Sequence, residues 1–173
     1  EIRSAAERAS SGVNELLELA RLDSGQAIPR LAPLRLDLLA EEIASSVRTD
    51  DCEIVADPTD AVVVQADMPL LRQALDNVVR NAVRRSTRVE LRTTAAGRDG
   101  IVTITDNGPG FDENALTNVF DRYQRGDRKG DVGIGLAIVK AIVTAHGGEV
   151  SARNADGTRN GAVTDTSGAV VEV

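Results

Sequence analysis

Two asparagines and an arginine recur along one face of a predicted helix. Asn77 and Asn81 are four residues apart, and Arg84 follows three residues later. Residues at these spacings lie on the same side of an α-helix. An amide oxygen is a hard ligand that suits Mg²⁺, and a guanidinium group can hold phosphate. Taken alone, however, a solvated polar stripe explains such a pattern more often than a ligand site does.

A second candidate is the glycine-rich segment D-N-G-P-G, from Asp106 to Gly110, which follows a predicted strand. A buried Asp at a strand end can accept a hydrogen bond from an exocyclic amine such as that of adenine. The glycines at positions 108 and 110 let the main chain approach a ligand closely. In isolation, an ordinary Gly/Pro turn is the commoner explanation.

A third candidate is the pair Gly133 and Gly135, which opens an apolar helix with the sequence G-I-G-L-A-I-V. Free N–H groups at a helix start bind phosphate, although a lone G-x-G is weak evidence. Between the second and third candidates lies F-D-R-Y-Q-R-G, from Phe120 to Gly126. The four segments in this order are unlikely to occur together by chance.

Composition bounds the kind of protein that these segments belong to. The chain has 173 residues, a net charge of −7, 42% hydrophobic and 27% charged residues, and only 2% aromatics. These values are ordinary for a globular domain with a core of aliphatic side chains. The basic residues form no long stripe, so we expect no nucleic-acid partner. A single cysteine, Cys52, excludes an internal disulfide.

The hydrophobic pattern predicts the elements that must position these residues. Helices are predicted over 36–47, from Asp67 (an N-cap, with Pro69 in the first turn) to Arg85, and over 135–145. Strands are predicted over 52–55, 61–66, 88–94, 101–105, 149–153 and 169–173, with a short helix over 114–119. This order indicates an α+β fold: a two-layer sandwich of a mixed β-sheet with helices on one face.

The first 24 residues have the apolar spacing of a further amphipathic helix, ended by Ser24 and Gly25. It either packs on its own domain or is an arm of a helical bundle that awaits partner helices. The segment 26–33, with Pro29 and Pro33, is interpreted as a linker. Because the chain starts at Glu1 without Met, we expect it to be part of something longer.

On these motifs, the sequence resembles the ATP-binding catalytic domain of sensor histidine kinases, a group related to DNA gyrase B, Hsp90 and MutL. Residues 75–85 resemble its N box, 106–110 its G1 box, 120–126 its F box and 133–139 its G2 box. Glu15 to Gly25 resembles the end of the second helix of the dimerisation and phosphoacceptor domain. The resemblance therefore implies three parts: that helix over 1–25, a linker over 26–33 and the ATP-binding domain over 34–173.

The resemblance also implies roles for individual residues. Asn81 would be the Mg²⁺ ligand, and Asn81, Arg84 and Arg125 would act in phosphoryl transfer. Asp106 would bind the adenine amine. The residues that would contact ATP are Asn77, Asn81, Arg84, Arg85, Asp106, Gly108, Gly110, Phe120, Arg122, Tyr123, Gln124, Arg125, Gly133, Ile134, Gly135 and Leu136.

Two comparisons within this group concern the reaction. Its hydrolytic members carry a Glu general base four residues before the metal-binding Asn, where this chain has Asn77, which cannot take a proton. Kinase activity is therefore favoured over ATP hydrolysis. The only histidine, His146, lies in the A-H-G-G segment after the last predicted helix, where the group has a structural His-Gly pair. We therefore expect the phosphoacceptor histidine to lie outside this chain, so that the chain binds ATP without phosphorylating itself.

Three features depart from the group's usual pattern. Arg85 stands where Tyr or His is common, Asp131 stands where a glycine usually begins the G2 box, and the lid over 120–132 is short. These departures keep open the alternative of a degenerate module that no longer uses ATP. A second alternative is a serine-protein kinase or anti-sigma regulator of the same fold, which would not need the N-terminal bundle helix.

The resemblance finally implies partners and a location. The γ-phosphoryl group would pass from ATP to a histidine of the protein's own helical domain and then to a response regulator. The full-length protein would form a homodimer through the N-terminal helix. The domain would lie on the cytoplasmic side of a bacterial inner membrane, as part of a membrane-linked sensor.

Overall fold

The fold is described from a computed structural model, which describes residues 17, 20–22, 25, 28–47, 49–57, 61–112, 116–121, 134–154, 158–159, 162–163 and 169–173. Within these residues, three helices with defined bounds accompany nine strands, and Leu17 and residues 20–22 are also helical. None of the described helices has the length and apolar character needed to cross a membrane.

The elements follow one another in an order that confirms the α+β prediction. The helices are α1 (Leu36–Ser46), α2 (Met68–Val83) and α3 (Gly135–Ala145). The strands are β1 (Ala32–Arg35), β2 (Glu53–Ala56), β3 (Val63–Ala66), β4 (Arg88–Ala96), β5 (Asp99–Asp106), β6 (Ser151–Asn154), β7 (Thr158–Arg159), β8 (Ala162–Val163) and β9 (Ala169–Glu172).

Five of the strands form a mixed sheet in the order β2-β4-β5-β9-β6. Strand β2 runs parallel to β4, and the other neighbours are antiparallel. A tight turn joins the antiparallel strands β4 and β5 at Gly97, whose φ is 67°. Two small antiparallel pairs, β1 with β3 and β7 with β8, lie outside this sheet.

The core forms between the helices and one face of the sheet. Buried residues alternate along β4 and β5, at Val89, Leu91, Val102 and Ile104, which places every second side chain on the helix side. Helices α1 and α2 both contact these two strands, and α2 packs against α3. The central strands therefore hold α2, which carries the predicted polar face, in a fixed position.

The start of α2 agrees with the prediction from Asp67 and Pro69. The Asp67 side chain accepts a hydrogen bond from the Leu70 N–H at 3.3 Å, and a proline occupies the first turn. Six apolar residues at helical spacing form the buried face of α2: Leu71, Ala74, Leu75, Val78, Val79 and Ala82. Leu70 and Val83 are half-buried.

The segment interpreted as a linker contains the beginning of a strand, which is a correction to the sequence prediction. Ala32 and Pro33 belong to β1, where Pro33 lies opposite Gln65 of β3. A proline is tolerated there because β1 has a single neighbour, so no second strand requires its missing N–H. Strand β3 packs closely on the sheet at Gly100, where an added Cβ would lie 2.8 Å from Val64 Cγ1.

At the N-terminal end, Leu17 and residues 20–22 are helical, and Leu22 is buried in the core. Gly25 has a φ of 67°, and its N–H donates to the Leu22 carbonyl, as the predicted helix end requires. Residues 1–16 lie outside the described part of the chain. The bundle helix and the three-part division of the chain thus stay predictions.

A buried carboxylate fixes the start of α1. Asp37 pairs with the Arg35 guanidinium, whose Nε lies 2.8 Å from Asp37 Oδ1, and that oxygen also accepts from the Val62 N–H. The hydrogen bond from Arg35 lowers the pKa of Asp37, outweighing the opposite effect of burial. The ionised carboxylate therefore joins α1 to the segment that enters β3.

Thr93 offers a test of the core on β4. Its side chain is fully buried, and among the described residues its hydroxyl has no hydrogen-bond partner. Replacing this hydroxyl with a methyl group of similar shape removes a desolvation cost. We expect Thr93→Val to raise the free energy of unfolding by about 1 kcal/mol, measured by urea denaturation.

Thr94→Val is the matched control, because Thr94 is half-buried on the opposite face of the same strand. It should change stability by less than about 0.5 kcal/mol. A loss of stability in Thr93→Val would mean that the hydroxyl is hydrogen-bonded, for example to a buried water.

Candidate functional site

A pocket opens where the C-terminal end of α2 meets the end of β5. It is lined by Asn81, Arg85, Asp106, Pro109, Gly110 and Phe111. Four of these residues, Asn81, Arg85, Asp106 and Gly110, were predicted from the sequence. The structure thus brings together residues from two separate motifs at one place.

Asp106 occupies the last position of β5, half-buried, and its side chain organises the loop that follows. Its Oδ1 accepts the Gly108 N–H at 2.8 Å. Gly108 is buried against the end of α2, where an added Cβ would lie 2.7 Å from the Arg85 carbonyl oxygen and 2.9 Å from Asp106 Oδ1. Only glycine fits this position, because the main chain of the loop lies directly against the main chain at the end of α2.

Two further asparagines hold the loop, and sequence reasoning missed both. Asn107 Oδ1 accepts from the main-chain N–H groups of Thr87 and Arg88 at 3.0 and 2.9 Å. At the other end of the loop, Asn154 of β6 exchanges two hydrogen bonds with the main chain of Phe111. These partners are 19 to 43 residues apart in sequence, and nothing in the local pattern indicates them.

The start of α3 lies beside the polar face of α2. Asn77 Nδ2 donates to the Gly135 carbonyl at 3.4 Å, which joins the two helices. The first N–H groups of an α-helix have no intrahelical acceptor, and the N-cap residue of α3, Ile134, supplies no side-chain hydrogen bond to them. Such a turn can bind an anion.

Three side chains predicted to contact ATP near the start of α3, those of Ile134, Leu136 and Phe120, pack in or against the core. The Ile134 side chain is buried in the core, and Leu136 is half-buried against it. Because its side chain is buried, Ile134 can contact a ligand only through its main chain. Phe120, predicted to anchor the lid, is half-buried and packs against the same core.

Other predicted residues lie outside the pocket or outside the part of the chain that the structure describes. Arg84 is the exposed C-cap of α2, next to Arg85, and is not among the residues that line the pocket. The remaining predicted positions fall outside the described residues: Arg122, Tyr123, Gln124, Arg125 and Gly133, together with Asp131.

His146 has a structural position, which agrees with its sequence interpretation. Its Nδ1 donates to the Ile142 carbonyl at 2.8 Å, and its Nε2 accepts the Asp67 N–H at 3.0 Å. The ring thereby joins the end of α3 to the start of α2, while Asn77, within α2, joins that helix to the start of α3. The two helices that border the site are therefore linked at two separate points.

The side chains at this site are better suited to binding a nucleotide together with a hard cation than to binding a metal ion through protein ligands alone. Within the described residues, no group of three or more His, Cys, Asp or Glu side chains could hold a metal ion. Asn81 supplies a single amide oxygen at the pocket. Mg²⁺ commonly takes one or two protein ligands and completes its shell with phosphate oxygens and water, so these residues fit Mg²⁺ with a phosphorylated ligand.

Comparison with known proteins supports this chemistry. Residues 66–167 match the family described as histidine kinase-, DNA gyrase B-, and HSP90-like ATPase. The probable sensor histidine kinase TcrY of Mycobacterium tuberculosis is 34% identical over an alignment of 167 residues, and the match covers 90% of this chain and 35% of TcrY. The sensor-like histidine kinase SenX3 of Mycobacterium bovis is 33% identical over an alignment of 165 residues, which covers 88% of this chain and 40% of SenX3.

A solved structure extends the similarity to the fold. Full-length ShkA in complex with AMPPNP has a TM-score of 0.83 and 27% identity, covering 98% of this chain and 36% of ShkA. The chain thus spans 35% to 40% of the length of these two curated relatives. The chain belongs to the family of histidine kinase-, DNA gyrase B- and HSP90-like ATPases, and these relatives within that family are sensor histidine kinases.

Proposed function

We propose that this chain is the ATP- and Mg²⁺-binding catalytic domain of a two-component sensor histidine kinase. It would transfer the γ-phosphoryl group of ATP to a histidine outside this chain, from which the group passes to a response regulator. The observation that carries the proposal is the pocket in which Asn81 and Arg85 of the α2 end face Asp106 and Gly110 of the β5 loop. A base-recognition motif and a cation-binding motif thus share one site.

In the proposed complex, the residues of the pocket and the start of α3 would have distinct tasks. The Asp106 carboxylate would accept a hydrogen bond from the adenine amine, and its contact with Gly108 fixes the direction of that carboxylate. Arg85 would lie against the base through its planar guanidinium. The first turn of α3, beginning at Gly135, would offer N–H groups to the phosphates.

Phosphoryl transfer itself depends on positioning and charge. Asn81 would bind Mg²⁺, which neutralises charge on the phosphate oxygens. Arg84 and Arg125 would add positive charge near the transferred group. Further contacts would come from Phe120, Arg122, Tyr123, Gln124 and Gly133.

Asn77 supports transfer over hydrolysis. Its amide cannot take a proton from water, and its Nδ2 is engaged with the Gly135 carbonyl. Water therefore receives no general base from this position, and an imidazole, which is already nucleophilic, is the better acceptor. The kinase of which this domain is part would be a homodimer on the cytoplasmic side of a bacterial membrane.

Calorimetric titration with AMPPNP, with and without Mg²⁺, tests nucleotide binding directly. We expect a dissociation constant in the micromolar range, roughly −8 kcal/mol, and weaker binding when Mg²⁺ is removed. Radiolabelled transfer from ATP to a separately supplied phosphoacceptor helical domain then tests the kinase activity. If the chain binds no nucleotide under either condition, a degenerate module explains it better. If it binds ATP and labels a serine of a partner protein instead, the serine-kinase alternative is right.

A further inference from the structure

The loop over 107–111, here called the base loop, has few main-chain hydrogen bonds of its own. It contains Gly108 and Gly110, the latter with a φ of 75°, and Pro109, which has no N–H. Such a segment has many accessible conformations and loses much entropy when it is ordered. In the structure it nevertheless forms one wall of the pocket. Something outside the loop must therefore hold it.

Asn154 provides that hold at the distal end of the base loop. Its Oδ1 accepts the Phe111 N–H at 2.7 Å, and its Nδ2 donates to the Phe111 carbonyl at 2.9 Å. The two partners fix the orientation of the amide, because the N–H requires the oxygen and the carbonyl requires the nitrogen. This pair of bonds acts as a clamp that reproduces the pairing of two strands at a single residue.

Asn154 belongs to the sheet, so its hydrogen bonds to Phe111 connect the base loop to a rigid part of the fold. Asn154 ends β6, which pairs with β9 in the five-stranded sheet, at Asn154 opposite Ala169. The opposite end of the loop is held by Asn107 and by Asp106. Phe111 itself lines the pocket and packs against the core. The rigid sheet thus holds both ends of a flexible pocket wall.

From this geometry we propose that Asn154 is a positioning residue for nucleotide binding, which orders the base loop before the ligand arrives. This inference rests on the proposed function for its effect on nucleotide affinity, but the clamp itself exists without a nucleotide. Losing the clamp leaves the binding-competent loop conformation only partly populated, and the apparent dissociation constant rises by the inverse of that population.

The primary test compares Asn154→Ala with the parent chain by calorimetric titration. We expect affinity to fall about tenfold for ATP, ADP and AMP alike, because the clamp acts on the base side of the site. Ser151→Ala, an exposed position on the same strand, is the matched control and should leave all three affinities unchanged. Unchanged affinities in Asn154→Ala, or a loss confined to ATP, would overturn the proposal.

Amide hydrogen exchange distinguishes positioning from a structural role. In the parent chain without nucleotide, the Phe111 N–H should exchange slowly, and in Asn154→Ala it should exchange about as fast as in an unstructured peptide. The amides of β4 and β5 should stay protected in both. If the Phe111 amide of the parent already exchanges freely, the clamp is absent and the inference fails, whether or not the variant folds.

The two proposals fail in different ways. A parent chain that binds no nucleotide contradicts the proposed function, while slow exchange at Phe111 would still establish the clamp. A parent chain that binds ATP and a freely exchanging Phe111 contradicts only the role of Asn154.

Discussion

Asp106→Asn is expected to weaken binding of ATP by about 100-fold, roughly 3 kcal/mol. The carboxylate accepts the Gly108 N–H and, in the proposed complex, the adenine amine. An amide of the same shape has one accepting oxygen and one donating nitrogen. Either the Gly108 N–H or the adenine amine then faces another donor, and a hydrogen bond is lost together with the desolvation cost of the unpaired group. Calorimetric titration measures the loss.

Nucleobase preference makes this prediction specific to recognition. Guanine presents a carbonyl where adenine presents its amine, so the parent carboxylate should repel GTP and favour ATP. The asparagine variant can donate to that carbonyl, and the preference for ATP over GTP should shrink. Asp99→Asn, at the exposed opposite end of β5, is the control and should leave both affinities unchanged. Equal ATP binding by Asp106→Asn and the parent would mean that this carboxylate does not contact the base.

The sequence was sufficient to predict the elements that position the site. The cap at Asp67 with Pro69, the apolar spacing along α2 and the apolar helix after Gly135 are local signals, and the observed bounds of α2 and α3 lie close to them. Strands β4 and β5 were also predicted, over 88–94 and 101–105, close to their observed bounds. Four residues that line the pocket were identified because each belongs to a motif formed within a short stretch of the sequence: Asn81 and Arg85 in 75–85, and Asp106 and Gly110 in 106–110.

The remaining features depend on contacts between distant parts of the chain. Strand β1 escaped prediction because two prolines are typical of linkers, and only its pairing with β3 makes a strand of it. The placement of β9 between β5 and β6 has no local signal. Asn107 and Asn154 are ordinary loop and strand residues by sequence. Their importance comes from main-chain groups that the fold brings to them, which no spacing rule reveals.

Gly108→Ala is expected to weaken nucleotide binding almost as much as Asp106→Asn, because the added methyl group collides with its neighbours. The added Cβ would lie 2.7 Å from the Arg85 carbonyl oxygen and 2.9 Å from Asp106 Oδ1, distances that real Cβ atoms hardly ever show. Both neighbours belong to the site, and the Arg85 oxygen is main chain that cannot swing aside. The base loop must therefore move away from α2, taking Asp106 or the loop out of position, and overpacking costs about 1–3 kcal/mol of stability.

Gly97→Ala separates this effect from the general cost of replacing a glycine. Gly97 lies in the turn between β4 and β5, where an added Cβ would meet no atom within 4 Å but the φ of 67° disfavours alanine. That variant should lose about 1 kcal/mol of stability and keep its affinity, because only backbone strain is involved. Thermal unfolding should therefore show similar losses of stability in both variants. Titration should show a loss of nucleotide affinity in Gly108→Ala alone. Full affinity in Gly108→Ala would show that the loop can leave α2 without disturbing the pocket, and that the close approach at Gly108 serves packing and not the site.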